Sequence, residues 1–464
     1  MSVPVLLFLL VLLLFLSIGI STGRAPASRS DYFVAGRRGS AFIIGGSLFA
    51  TVVGGSATIG VAGLVYEQGL TGMWWTLVGA LGLVVLALFF ARRIRAHAVY
   101  TLPGLVEQLY GRGVSTLVAV VIVVAWTGVV SGQIVAAARV AGSLGVGGVS
   151  GWMVAFTAVL VAYAVIGGQR AILRTDALQG LLILLGLAVA AVALLLDGGI
   201  PASLSSALSA DALSFPVSGS FGWMELVRMA ILVGSVYVVG PDIYTRVLSA
   251  RDAATAQRAV LYAAVFVVPA AALVALIGLT ASIRAPGIPA EQALPWMMTN
   301  GLPVAVAGLL FVALMGALMS SADSTLLGQG VVFADDVIGR KWSLSEERTV
   351  LVSRISVAAL GVLSLVLALS LRGVIESLLF AYSVFTSGVV GPVIVGLLAD
   401  EQWRPGSRST FMGVCIGGAF GLAGGLPMLA VALKSALPLV GFALSIAVPL
   451  ADIAVRVARR RLRP

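Results

Sequence analysis

Cysteine and histidine are almost absent from this sequence, and charge is scarce. Among 464 residues there is one cysteine, Cys415, and one histidine, His97. A single cysteine excludes a disulfide framework and a cysteine metal cluster, and a single histidine excludes a histidine-based metal site. Only 10% of residues are charged while 60% are hydrophobic. Soluble domains run near 25% charged, so a soluble globular enzyme, a disordered chain and a nucleic-acid-binding protein are all excluded. What remains is an integral membrane protein whose chemistry takes place within or across a lipid bilayer.

A spanning helix needs about 20 mainly apolar residues, because lipid offers no partner to backbone N–H and C=O groups. Thirteen such runs are expected, near 2–22, 41–66, 73–91, 115–141, 151–166, 173–196, 221–240, 258–282, 302–328, 350–371, 374–398, 410–430 and 434–456. The first run lacks a basic n-region (Met1, Ser2, Val3) and is too long for a signal peptide, so it is expected to be a retained helix. Alternate loops, from the one after span 1 to the tail carrying Arg456 through Arg463, hold 24 of the 29 Lys and Arg residues, Arg246 counted among them. The opposite loops hold Arg284, Arg372 and Lys434, and Arg139 and Arg228 fall inside spans. The positive-inside rule then puts the N-terminus outside and the C-terminus in the cytoplasm, which requires an odd number of spans. The net charge of +10 is therefore a topology signal. The longest polar stretches, near 197–220, 283–301 and 335–349, are too short to form a separate core.

Two spans carry candidate interruptions. Span 2 contains Thr51-Val52-Val53-Gly54-Gly55-Ser56-Ala57-Thr58, and a glycine pair among hydroxyls at mid-span invites unwinding that frees carbonyls for a cation. Span 7 offers Gly234-Ser235 as a second break and ends in Gly240-Pro241. Spans 2 and 7 are five apart, so blocks 2–6 and 7–11 have opposite orientations, as in an inverted-repeat transporter. Simple close packing of helices at these glycines is the alternative.

Ionisable groups inside spans are costly, roughly 2.5–3.5 kcal/mol each on insertion scales, and mark function or pairing. In span 9, Ala317, Ser320, Ser321 and Ser324 share one helix face and present neutral oxygens that suit a hard monovalent cation; Asp323 lies beside them. The alternative is that these hydroxyls bond carbonyls of their own helix. Asp176, near the start of span 6, reads either as a helix-end charge paired with Arg174 or as part of a cation path with Asp323 and Ser324. Glu225 and Arg228 are spaced to pair with each other, and Arg139 is expected to snorkel or meet a carboxylate. Asp335 and Asp336 read as a solvated helix end, His97 as an interfacial loop residue, and Trp74 and Trp75 as part of an aromatic belt.

Several motifs together resemble the sodium/solute symporters, the family of sodium/proline, sodium/sugar and sodium/pantothenate carriers. They are Asp31-Tyr32-Phe33-Val34-Ala35-Gly36-Arg37, Ser47-Leu48-Phe49-Ala50, Tyr100-Thr101-Leu102-Pro103, Ser131-Gly132 with Ala138-Arg139, Gly167-Gly168-Gln169-Arg170-Ala171 with Thr175-Asp176, Pro241 with Arg246, and Met319-Ser320-Ser321-Ala322-Asp323-Ser324. They cover most of residues 31–400. The resemblance implies an all-α membrane protein with a leucine-transporter-like five-plus-five inverted-repeat core. On that reading 1–464 is one transport domain: a peripheral first helix and loop (1–40), a ten-helix core (41–398), and peripheral helices 12–13 with a basic tail (399–464). It also implies a sodium site made of the carbonyls of Ala50, Val53 and Ala317 and the hydroxyls of Ser320 and Ser321. A second cation or proton path would fall at Asp176, Asp323 and Ser324. Asp323 stands where two-site members often carry a hydroxyl, which counts against a second sodium. Thr51, Gly55, Ser56, Gln133, Tyr237 and Tyr382 are the expected solute contacts. Gly128 and Val233 replace an aromatic and a Trp of the proline-type branch, which argues against proline as solute.

The expected function is sodium-coupled import of a small polar organic solute, an amino acid, carboxylate or sugar, by alternating access in the plasma membrane. One charge crossing 100 mV and a tenfold sodium gradient together supply about 3.7 kcal/mol, enough for roughly 500-fold accumulation. Partners are thus sodium, the solute and lipid, with no nucleic acid. A proton-coupled carrier using Asp176 or Asp323 is the nearest alternative. A solute sensor is the other, and the lack of an output domain after residue 464 counts against it. No nucleophile–base pair or metal cluster suggests an enzyme.

Overall fold

The computed structural model describes residues 28–461 except 144, 146, 198–206, 343, 371–372 and 426–428, together with Leu10, Leu13, Leu14 and Ser17. Span 1 thus lies almost wholly outside the described residues, as do Arg24 and Arg372. Among the described residues the chain is helical, and its only β contact is an isolated bridge between Gly39 and Ala250.

Local signals explain where the helices begin. The short α1 (Arg29–Val34) is capped by Ser28. Ser40 caps α2 (Ala41–Val52), its Oγ accepting from Ile43 N–H at 3.4 Å. Beyond the first interruption come α3 (Val61–Gln68) and α4 (Trp74–Val85), the latter continuing to Ala96. Thr101 caps α5 (Leu102–Tyr110), with Pro103 in its first turn, where a missing N–H costs nothing. The long rods are α6 (Arg112–Gly142) and α7 (Val149–Leu196). Span 7 is built from α8 (Trp223–Met229), α9 (Ser235–Val239) and α10 (Pro241–Ser249). Asp252 caps α11 (Ala253–Arg284) through Thr255 N–H at 2.7 Å. The remaining helices are α12 (Val304–Val332), α13 (Glu346–Ser370), α14 (Val374–Phe385), α15 (Gly391–Leu398), α16 (Ser407–Gly424) and α17 (Val431–Arg461).

Among the described residues nine helices are long and apolar enough to cross a membrane, fewer than the thirteen runs in the sequence. Span 1 lies outside the described residues, α16 on span 12 is not among the nine, and the other two losses come from runs that are joined. Helix α7 carries spans 5 and 6 together and changes direction at Gly168 (φ 60°, ψ −174°). The second half of span 2 runs on into span 3 as one apolar stretch, Ser56–Ala96, and α2 is a half-length helix. The other helices fall on spans 4 and 7 to 13.

Both expected interruptions sit in the first helix of a five-helix block, but one is displaced. Span 2 leaves helical geometry at Val53 (φ −88°, ψ 50°) and resumes as a wide turn at Ser56–Gly60. In span 7, Gly234 lies in a widened but continuous helical turn. A methyl there would meet Val78 O at 2.9 Å, and one on Gly82 would meet Gly234 O at 2.1 Å, so this pair of glycines lets span 7 press against α4. The true break is Gly240 (φ −52°, ψ 132°), after which Pro241 starts α10 and the chain continues to Ser249. Span 7 therefore does not end at Gly240-Pro241, and α10 brings its side chains into the protein interior.

Candidate functional site

The centre of the bundle is where the two interrupted helices meet α6, α7 and α12. At the first break the helical ladder is exchanged for side-chain bonds. Gly55 N–H donates to Gln133 Oε1 on α6 at 2.9 Å, and the Thr51 carbonyl accepts from Ser321 Oγ on α12 at 2.6 Å. Backbone groups freed in an apolar interior need such partners. The approach of α12 is close: a methyl on Gly54 would stand 2.0 Å from Ser321 Oγ.

Of the expected sodium ligands, Ser321 meets this junction directly. Ala50, Val53, Ala317, Ser320 and Ser321 are all buried. Ser321 touches the break directly, and the neighbouring Ser320 Oγ is buried with no hydrogen-bond partner. A buried hydroxyl without a partner is costly, and a small cation coordinated by oxygens would relieve it. The alternative that these hydroxyls simply bond their own helix fails for Ser320 and Ser321 and holds for Thr325, whose Oγ1 donates to the Ser321 carbonyl.

Below lies a fully buried charge cluster. Arg246, from α10, is inaccessible to solvent. Its Nη2 donates to Asp176 Oδ2 at 2.8 Å, its Nε to Ser47 Oγ at 2.8 Å, and its Nη1 to the Asp242 carbonyl at 3.0 Å. Ser47 Oγ donates to Asp176 Oδ2 at 2.6 Å. Ser324 Oγ contacts Arg246 Nη2 and lies 3.0 Å from Asp323 Oδ1 and 3.4 Å from Asp176 Oδ2. Asp176, Asp323 and Ser324 are thus brought together as expected, but a guanidinium sits among them. Arg246 is not a loop residue, and Asp176 pairs with it rather than with exposed Arg174. The remaining oxygens, Asp176 Oδ1 and Asp323 Oδ2, are buried without partners.

Above the cluster a small cavity of about 30 Å³ is lined by Thr51, Ser56, Gln133, Tyr237 and Tyr382, five of the six expected solute contacts. Gly55, the sixth, faces Gln133 instead. Trp126, Asp242 and Thr325 line the same cavity and were not anticipated. Trp126 Nε1 donates to Asp242 Oδ1 at 3.2 Å.

The model of the "SSF: Sodium:solute symporter family" matches residues 32–417. The chain belongs to this family. Its relatives include a sodium/glucose cotransporter of Vibrio parahaemolyticus, 24% identical over 89% of this chain and 83% of that protein. A high-affinity proline transporter of Bacillus subtilis is 26% identical over 88% of each. Among solved structures, that of a Na+-coupled sialic acid symporter in a substrate-bound, outward-open state superposes with a TM-score of 0.81 at 18% identity over 98% of both chains. That likeness carries the fold, and with MhsT, at a TM-score of 0.52, it places the symporter among leucine-transporter-like five-plus-five bundles. Sodium-coupled solute symport by alternating access follows from the family, in a multi-pass membrane protein. The family and the relatives are transporters, not enzymes.

Ion pairs bridge the helices on both sides of the cavity. On one side Glu291 pairs with Arg139 and accepts from Val374 N–H at 2.9 Å, which locks the 283–301 loop onto α6 and α14. On the other, Arg29 pairs with Asp335, and Arg340 with Asp336 and Glu107. Asp335 and Asp336 are therefore buried ion-pair partners rather than a solvated helix end. Trp75 is buried and stacks on Tyr382 at 6.4 Å rather than facing lipid, while Trp74 donates to the Pro216 carbonyl at 2.8 Å. Glu225 and Arg228 pair with each other as expected. His97 lies on the surface beside Gln108.

Proposed function

We propose that residues 1–464 act as one plasma-membrane symporter that imports a small polar organic solute, with its N-terminus outside and its C-terminus in the cytoplasm. One sodium ion occupies the junction of the α2 break and α12, held by the carbonyls of Ala50, Val53 and Ala317 and the hydroxyls of Ser320 and Ser321. The observation that carries this reading is the pairing of Ser321 Oγ with the Thr51 carbonyl beside the partnerless Ser320 Oγ. Sodium there would draw α2 and α12 together and order Thr51, Ser56 and Gln133 on the cavity side of the break, so that ion and solute bind cooperatively. Loss of the solute then loosens the junction and lets the ion leave. The test is uptake into proteoliposomes by the Ser320→Ala, Ser321→Ala double variant. Sodium dependence should shift to at least tenfold higher concentration, and an unchanged sodium dependence overturns the assignment.

A second reading has its own support. Asp323 Oδ2 and Asp176 Oδ1 are buried and partnerless, so either could carry a proton instead of, or together with, sodium. Uptake driven by a pH gradient in sodium-free buffer, abolished in Asp323→Asn, would select that reading.

A further inference from the structure

We infer that the solute is a monovalent organic cation, an amine or quaternary ammonium, held by the Asp242 carboxylate against an aromatic wall. The inference rests on the proposed transport site and names the solute class it accepts. Asp242 stands at the start of α10, just past the Gly240 break, and lines the central cavity. Trp126 Nε1 binds its Oδ1 at 3.2 Å. Among the described residues no basic side chain pairs with it, because the one guanidinium nearby, Arg246, is committed to Asp176 and touches only the Asp242 backbone carbonyl.

Charge balance gives the first argument. Asp176, Asp323 and Asp242 face a single Arg246. Unbalanced charge in a low-dielectric interior is costly. With all three ionised, a sodium ion offsets one carboxylate and a cationic solute offsets the one at the cavity; a proton on Asp176 or Asp323 takes the place of the sodium. An anionic solute would enlarge the imbalance.

The lining of the cavity gives the second. The Ser321 and Thr325 hydroxyls donate to the carbonyls of Thr51 and Ser321, and Gln133 Oε1 accepts from Gly55 N–H. Thr51 Oγ1 is buried, partnerless and on the cavity wall, suited to a single hydroxyl or N–H. Trp126, Tyr237 and Tyr382 also line the space, and aromatic rings attract ammonium groups. An acid in the first turn of a helix also stabilises that helix, a role that requires neither the cavity nor the aromatic wall.

The test uses the purified full-length protein in lipid nanodiscs, with choline, ethanolamine, glucose, proline and pyruvate as probes, each with and without sodium. Choline or ethanolamine should bind, read by calorimetry and by a rise in Tm. Asp242→Asn should weaken that binding at least tenfold, and Asp242→Glu should restore part of it. A second measurement needs no variant: choline should bind at least tenfold more tightly than its neutral isostere with carbon in place of the ammonium nitrogen. A purely structural role for Asp242 would leave the two isosteres equal. Failure of both cations to bind, equal binding of the isosteres, or undiminished binding in Asp242→Asn overturns the inference. A sodium-induced Tm shift without any choline effect would leave the symport reading standing and refute only the solute class. Charge-selective choline binding that ignores sodium would support the solute class and refute the sodium site.

Discussion

The contact between Gly54 and Ser321 is the point where a single methyl group tests the sodium junction. In Gly54→Ala the new Cβ would lie 2.0 Å from Ser321 Oγ and 2.7 Å from its Cβ. Restoring an ordinary contact of 3.4 Å moves the hydroxyl by about 1.4 Å, which breaks its 2.6 Å bond to the Thr51 carbonyl. The lost hydrogen bond is worth about 1 kcal/mol and overpacking adds about 1–3, for a total of about 2–4 kcal/mol. The same displacement takes Ser321 out of reach of an ion at the junction. Sodium affinity should fall at least about tenfold, since ~1.4 kcal/mol is one decade. The assay is sodium titration of Tm on purified protein, repeated on uptake in proteoliposomes. Gly328→Ala on the same helix is the control: a methyl there meets nothing within 4 Å, and helix propensity favours alanine by about 1 kcal/mol. The pair should couple, so that Ser321→Ala in the Gly54→Ala background recovers part of the lost stability without recovering sodium affinity. A Gly54→Ala protein with the wild-type sodium midpoint would refute the reasoning.

Three further outcomes are expected. Asp176→Asn leaves Arg246 buried without its ion pair, a change that typically costs about 3–5 kcal/mol; Tm should drop sharply and recover in Asp176→Asn with Arg246→Met, and an unaltered Tm in the single variant would contradict the buried cluster. Glu291→Gln removes the charge facing Arg139, so in a Cys415→Ser background a cysteine placed at buried, cavity-lining Ser56 should react faster with a membrane-impermeant thiol reagent; an unchanged rate would show that the pair does not hold this side shut. The carboxyl of Asp252 is held below the usual aspartate range, chiefly because it accepts from Thr255 N–H at the start of α11. The stabilisation it provides is complete above the ordinary aspartate pKa and disappears as pH falls through the lowered value, so the Tm of Asp252→Asn should depend less steeply on acid pH than that of wild type.

Much of the candidate site was legible before any coordinates. The glycine pair at 54–55 and the hydroxyl face of span 9 are local patterns, and a broken helix facing a hydroxyl-rich one is a consequence of composition within two short windows. Asp242 and Arg246 were not legible in the same way. Gly240-Pro241 reads as a helix end, which puts both residues in a solvated loop. They become interior only because α10 resumes past the break, with Arg246 bonded to Ser47 and Asp176 on two other helices. Asp335 and Asp336 follow the same rule, since their partners Arg29 and Arg340 are supplied by tertiary packing for the first and by the next turn of chain for the second. Gly234 shows the reverse: a local break signal was in fact a packing contact with α4.

The sequence by itself determined the membrane class, the positions of the apolar runs, the concentration of basic residues in alternate loops, and the glycine and hydroxyl pattern from which the cation junction is proposed. These follow from side-chain transfer energies and from oxygen donors a few residues apart, which act over short range. Only the tertiary structure decided which buried charges face each other, which glycine marks a break and which a close crossing, and which carboxylate opens onto the central cavity. Those outcomes depend on contacts between residues far apart in the chain, where the cost of burying a polar group is offset by a partner from another helix.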